Sequence, residues 1–419
     1  MKHRFNFFLL MVLVMEVSVS AQQHRLLSEN LRTLQVMVNG EWNRTPVLVL
    51  GSSDYMDISF DDLTHEYCRY RYRLEHCNYD WTSSDGIFSI DYLSGESSDQ
   101  PLESYDESLN TSVLYTHYTL RFPNERVGVR LSGNYKLIIF NDDEEKDVCE
   151  VCFSVLDNKA MVMASVTTNT DIDINRSHQQ VKFKVETGKL AITDAKREIK
   201  TLVMQNNRID NAVWNVAPDY DMGGKLQWEY AKDLIFKAGN EYRKFEMTNM
   251  HVPTMNIDNI RYFKPYFHAT LYEDKTRPNY FYDQEQNGAF VIRTAEYPDP
   301  TVQSDYLLVH FTLQHPFEPN GDIYINGAFQ SDVFAPECKM VYNSERKVYE
   351  ATLLLKQGYY NYQYLYVPSG KEKRGYTANV EGDYYQTENK YSIFVYYRPQ
   401  GGRYDQLVGL REFRYLPDK

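Results

Sequence analysis

The run Tyr306-Leu307-Leu308-Val309-His310-Phe311-Thr312-Leu313 sets Leu307, Val309, Phe311 and Leu313 at every second position. Successive side chains of an extended chain point to opposite faces, so these four share one face of a half-buried strand. Outward from this run the same period recurs. Val181-Lys182-Phe183-Lys184-Val185 alternates apolar and basic residues; Tyr360, Tyr362, Tyr364 and Tyr366 share one face of another strand; Tyr391 to Tyr397 reads likewise. No long stretch carries a sustained helical period with caps, and Asn, Asp and Gly turns punctuate the short strands. The pattern predicts an all-β chain of tandem β-sandwich domains.

Turn chemistry refines this reading. Asn326-Gly327 lies between Ile323-Tyr324-Ile325 and Ala328-Phe329 and suits the left-handed positions of a type I′ hairpin. The acidic run Asn141 to Asp147 separates two apolar strands and reads as a solvated hairpin tip. It lacks the sharp Gly turn of a calcium loop, and Asp171-Ile172-Asp173-Ile174-Asn175 is followed by Arg176 where such a loop needs Gly. The clearest linker is Ala295-Glu296-Tyr297-Pro298-Asp299-Pro300, because two prolines hold their neighbours extended. Domains are therefore expected at residues 22–157, 158–298 and 299–419, the last with a polar tail from Pro399 whose Leu407 to Phe413 either docks or stays loose. Deletion of 299–419 is then expected to leave the first two domains folded.

The chain opens with Met1-Lys2-His3-Arg4, an apolar stretch from Phe5 to Val14, and Val19-Ser20-Ala21 before Gln22-Gln23. That order predicts a cleavable signal peptide over residues 1–21, hence export. The apolar stretch is shorter than the roughly 20 residues of a spanning helix. Gln rather than Cys at position 22 gives no support to a lipid anchor. A formal charge of −13 repels phosphates, which argues against nucleic acid as a partner. A mean hydropathy of −0.57 argues against an outer-membrane barrel, although barrels share the period of two.

Five cysteines, Cys68, Cys77, Cys149, Cys152 and Cys338, are an odd number for an exported chain. Cys149 and Cys152 sit in a strand-like context where residues three apart face opposite ways, which opposes a local disulfide and shared metal ligation. Buried, inert thiols are expected. His76-Cys77 beside Asp80-Trp81 is the most tempting nucleophilic cluster, yet strand neighbours point apart, so Cys77 and Trp81 are expected to pack while Asp80 caps a turn. His65-Glu66 is followed by Arg69 where a zinc protease helix needs a second His. Gly95-Glu96-Ser97-Ser98 lacks the second Gly of a nucleophile elbow, and no Gly-rich phosphate loop precedes a helix. No catalytic, cofactor-binding or metal-binding residue is singled out, no cofactor is expected, and the chain is read as non-enzymatic.

Ile323-Tyr324-Ile325-Asn326-Gly327-Ala328-Phe329 through Gly358-Tyr359-Tyr360-Asn361-Tyr362 resembles early-set immunoglobulin-like sandwiches related to glycogen-binding modules. That resemblance implies aromatic sugar platforms, commonly Trp, but the four Trp lie at 42, 81, 214 and 228, outside this region. A structural or partner-binding sandwich is the preferred reading there.

A second resemblance covers nearly the whole mature chain. Its opening fingerprint is Asp57-Ile58-Ser59-Phe60-Asp61-Asp62-Leu63, Tyr72-Arg73-Leu74-Glu75-His76-Cys77-Asn78-Tyr79-Asp80-Trp81, Asn110-Thr111, Tyr115-Thr116-His117-Tyr118 and Ser132-Gly133-Asn134-Tyr135. Further segments are His178-Gln179-Gln180, Gln205-Asn206-Asn207-Arg208, Gly239-Asn240 through Phe245-Glu246, Glu381-Gly382-Asp383 through Glu388-Asn389, and Tyr396-Tyr397-Arg398. In this order they resemble the type IX secretion system plug protein family. The resemblance implies a periplasmic protein of β-sandwich domains, associated with the outer-membrane secretion complex. It further implies that the partner is the giant outer-membrane translocon barrel, whose periplasmic opening the plug seals. The resemblance does not identify interface residues. A periplasmic carbohydrate- or peptide-binding protein is the alternative.

Overall fold

The computed structural model describes residues 24–330, 334–370 and 373–417; the leader expected at 1–21 lies outside them. Almost all regular structure is strand, and the helices are single turns of three or four residues. The expected all-β sandwich architecture is observed.

In the first sandwich, Leu31–Val38, Met56–Asp62, Thr116–Phe122 and Ser104–Glu107 form a sheet in that order. It faces Tyr70–Cys77, Gly133–Asn141 and Lys146–Leu156 across an apolar core. Alternation does the sorting: Tyr70, Tyr72 and Leu74 enter the core while Arg71, Arg73 and Glu75 face outward. The strands Gly133–Asn141 and Lys146–Leu156 meet in the expected hairpin, with Asn141 opposite Lys146. Its acidic tip is answered by Arg69, 2.9 Å from both Asp142 and Asp143.

The middle sandwich is discontinuous in sequence. Met161–Thr167, His178–Glu186, Lys225–Trp228, Tyr220–Asp221 and Ile235–Lys237 make one sheet. The other is made by Ile199–Gln205 and Arg208–Trp214 together with two strands from far downstream, Lys390–Tyr397 and Gln406–Arg414. Val181, Phe183 and Val185 meet Tyr391, Ile393 and Val395 in its core. The opposite face of Lys390–Tyr397 is covered too, since Phe394 and Tyr396 pack with Leu202, Met204, Leu156 and Leu407. Through the pairing of Leu156 with Leu407 this sheet continues into the first sandwich, giving one ten-stranded sheet. The expected tail is thus an integral strand, with Leu407 and Val408 fully buried.

The third sandwich lies between those two visits to the middle one. Arg243–Met247, Phe290–Ile292 and Gly321–Asn326 all pair with the long strand Gly358–Pro368. Opposite them stand Ile257–Phe263, Tyr266–Leu271, Tyr306–Gln314, Val348–Lys356 and Val341–Asn343. Leu307, Val309, Phe311 and Leu313 share its core with Tyr360, Tyr362 and Tyr364. The boundary expected at 298/299 therefore cuts one core, because Phe245 stacks on Tyr360 at 5.1 Å. The prolines that suggested a linker have a local role. Pro300 opens the single-turn helix Pro300–Gln303, capped by Asp299, which accepts from Thr301 N at 3.0 Å. The hairpin expected at Asn326-Gly327 does not form, because Gly321–Asn326 pairs with residues 363–368 instead. Gly327 serves close approach: a Cβ there would lie 2.6 Å from the Asn361 carbonyl.

Candidate functional site

The segments that make up the long resemblance converge on the seams between sandwiches. Asp61 and His117 occupy the face of the first sandwich that the third one covers. The Lys356 ammonium lies 2.6 Å from Asp61 Oδ2, with both side chains 1% exposed. Tyr306 Oη donates to the same oxygen at 2.6 Å, His117 Nδ1 contacts Asp61 Oδ1 at 2.6 Å, and Lys356 also donates to the Thr301 carbonyl at 2.6 Å. The Tyr115 ring sits 4.0 Å from the ammonium and its hydroxyl donates to the Ser304 carbonyl at 2.9 Å. Burial by itself would raise the Asp61 carboxyl, but Lys356 and His117 hold it below the ordinary carboxylate range. Burial likewise holds the Lys356 ammonium below its usual range against the upward pull of Asp61. Each charge is tolerable there only because the other is present. Asp305 strengthens the seam by accepting from the Ser112 and Val113 amides at 2.6 and 3.0 Å.

The seam to the middle sandwich is built on Asn134. Its Oδ1 accepts from Tyr396 Oη at 3.0 Å and from Ser154 Oγ at 2.8 Å, and its Nδ2 donates to the Asn78 carbonyl at 3.0 Å. Arg398 donates to Asn78 Oδ1 at 2.6 Å and to Asp405 at 2.8 Å. Gly133 must be glycine: its φ is +138°, and a Cβ would lie 2.5 Å from His76 Nε2 and 2.8 Å from the Asp405 carbonyl.

Residues 373–389, which lead from the third sandwich back to the middle one, are held from both sides. Arg243 is buried between Glu381, at 3.0 Å, and Asp274, at 2.7 Å, and Tyr362 and Tyr364 donate to Asp274 at 2.7 and 2.8 Å. Burial opposes the charge on Arg243, yet Glu381 and Asp274 together raise its pKa well above the usual value. Nearby, Gln179 donates to the Tyr385 and Thr387 carbonyls at 2.8 and 2.9 Å and accepts from Tyr391 Oη at 2.8 Å.

The tempting chemical clusters come apart in space. His76 faces Ser84 Oγ at 2.9 Å and the Ser132 carbonyl at 3.1 Å, and burial lowers its pKa to about 4. Cys77 lies in a separate apolar cluster with Trp81 and Cys152, where burial pushes its thiol up to about 12. Cys149 lies in the first core, on the other face of the strand from Cys152. Asp80 accepts from Thr82 N at 3.2 Å in a turn. Among the described residues no group of three or more His, Cys, Asp or Glu side chains is placed to hold a metal ion. Tyr360, Tyr362 and Tyr364 are buried rather than presented as sugar platforms.

Sequence reasoning missed a cleft where the three sandwiches meet, a cavity of about 230 Å³. Asn206 and Asn207 belong to its wall, and their adjacency in Gln205-Asn206-Asn207-Arg208 was the one signal available.

Residues 31–157 match the family model of the type 9 secretion system plug protein first domain. A crystal structure of a hypothetical protein from Parabacteroides merdae is 41% identical, covers 94% of this chain and 100% of its own, and superposes with a TM-score of 0.90. The C-terminal domain of the Streptococcus pyogenes antigen I/II-family protein AspA aligns over 91% of this chain and 99% of its own at 7% identity, with a TM-score of 0.14, too low for a shared fold. No curated protein matches the chain.

Proposed function

Because the chain belongs to the type 9 secretion system plug protein family, we propose that it is a non-enzymatic periplasmic plug, sealing the periplasmic opening of the outer-membrane translocon barrel. The observation that carries the reading is the family match over 31–157, whose resembling residues Asp61, His117 and Asn134 are locked into the seams. A stopper has to resist deformation, and three sandwiches tied by buried polar bonds suit that task. It also has to offer contact area. Tyr262, Phe263, Tyr272, Phe281 and Tyr282 of the third sandwich are each more than half exposed, and aromatic rings supply large contact area at low entropy cost. No helix among the described residues is long and apolar enough to cross a membrane.

The test is an affinity pull-down of tagged protein from gently solubilised outer membranes after in-cell crosslinking. Recovery of a very large barrel protein is the expected result. Recovery of soluble proteins alone would overturn the proposal.

A further inference from the structure

The cleft at the three-sandwich junction has a chemistry unlike the rest of the molecule. The chain carries 58 acidic residues, yet none lines this cavity, whereas Arg44, Arg208, Lys390 and Arg414 do. Three of these cations are answered by acids outside the lining, Arg208 by Asp210 at 2.6 Å, Lys390 by Glu412 at 2.9 Å and Arg44 by Glu41 at 4.0 Å. Arg414 is exposed, and its hydrogen bond goes to a neutral partner, Gln286 Oε1, at 3.1 Å. The same oxygen accepts from Asn43 Nδ2 at 3.1 Å, so side chains of all three sandwiches meet at one point of the cleft.

Two acceptors in the wall are unsatisfied. Asn287 Oδ1 and Gln330 Oε1 are buried and have no hydrogen-bond partner among the described residues. Both oxygens lie out of the reach of water, so they mark a closed part of the wall rather than a contact point for a ligand. Apolar surface lies beside them, from Trp42, Phe290 and Met204. One side is bordered by Leu34 to Met37 of the strand Leu31–Val38, the end strand of its sheet, where backbone groups remain available for pairing.

We propose that this cleft binds an extended acidic peptide segment of a partner protein. Main-chain groups of the segment pair with the open edge of Leu34 to Met37, a carboxylate meets Arg414, and an apolar side chain rests on Trp42. A bare inorganic anion uses neither the strand edge nor the apolar surface, and a neutral sugar leaves Arg414 without an opposite charge. The inference goes beyond the plug reading and is tested without the translocon, so either can fail alone.

The probe is a positional library of N-acetylated heptapeptides, each with one fixed residue, binding to the purified protein by fluorescence anisotropy at low and high salt. Asp or Glu is expected to be selected at one or two positions, with binding weakened by salt. Arg414→Glu should weaken the selected peptide at least tenfold and transfer the preference to Lys. Trp42→Ala should weaken it while keeping the acidic preference. Both side chains are at least partly solvent-exposed, and an unchanged melting curve will establish that each variant is folded. Selection without acidic preference, or acidic selection that survives Arg414→Glu, overturns the proposal, as does the absence of saturable binding.

Discussion

Against the third sandwich the first presents a carboxylate, Asp61, that meets Lys356 out of contact with water, whereas against the middle one it presents a neutral amide, Asn134, and a continued sheet. The two seams join comparable bodies by different physics. The charged one is specific but brittle, because removing one partner strands the other in a low-dielectric site. The other spreads its stabilisation over the Leu156–Leu407 pairing, the Arg398–Asn78 bond and the apolar contacts of Leu156, Phe394, Tyr396 and Leu407, so no single group dominates. Its resistance to single changes comes from that distribution.

The bluntest way to break the comparison is deletion of residues 299–419. It removes two strands of the middle sheet and most of the third core. The expected outcome is loss of both sandwiches, read as the disappearance of a cooperative melt and as aggregation; a folded, soluble product would refute the nested arrangement. Next in size is Lys356→Met, expected to lower stability by about 3–5 kcal/mol in denaturant unfolding. The double variant Asp61→Leu/Lys356→Met should recover more than half of that loss. Failure to recover would mean that packing, not charge, dominates the seam.

Acid sharpens the contrast further. Asp61 has a folded-state pKa below its unfolded value, so its stabilisation is fully present above about pH 4 and fades as pH falls through the lowered value. Stability measured from pH 6 down to pH 2 should therefore fall less steeply in the double variant than in the wild type. The smallest effect is expected from Tyr396→Phe, which deletes the hydroxyl that donates to Asn134 and should cost about 1 kcal/mol. A loss as large as that of Lys356→Met would erase the distinction between the seams.

The strands were legible because burial leaves a local mark. Leu307 to Leu313 and Val181 to Val185 alternate as two-sided strands do, and both enter cores. What alternation does not encode is the partner of a strand. Tyr391 to Tyr397 looks the same whether it completes its own sandwich or one begun near residue 161, so the nesting went unread. The prolines at 298 and 300 misled for a related reason, since a capped helical turn and a linker share their composition. At the seams, Asp61 and Lys356 lie 295 positions apart, and nothing local marks an acid as one that will be buried. The cleft was hidden similarly, its wall being assembled from short segments of all three sandwiches.

The chain leaves the middle sandwich after Ile235–Lys237 and re-enters it at Lys390–Tyr397. That detour makes folding a matter of sequence in time as well as in space. During synthesis or threading from the N-terminal side, the first sandwich has its own strands early, but the 178–186 strand faces a half-built sheet until residues 390–414 arrive. Closing a loop of this length delays the reward of the contacts that follow it. Until that arrival Val181, Phe183 and Trp228 lack the Tyr391, Ile393 and Val395 side chains that share their core in the finished fold.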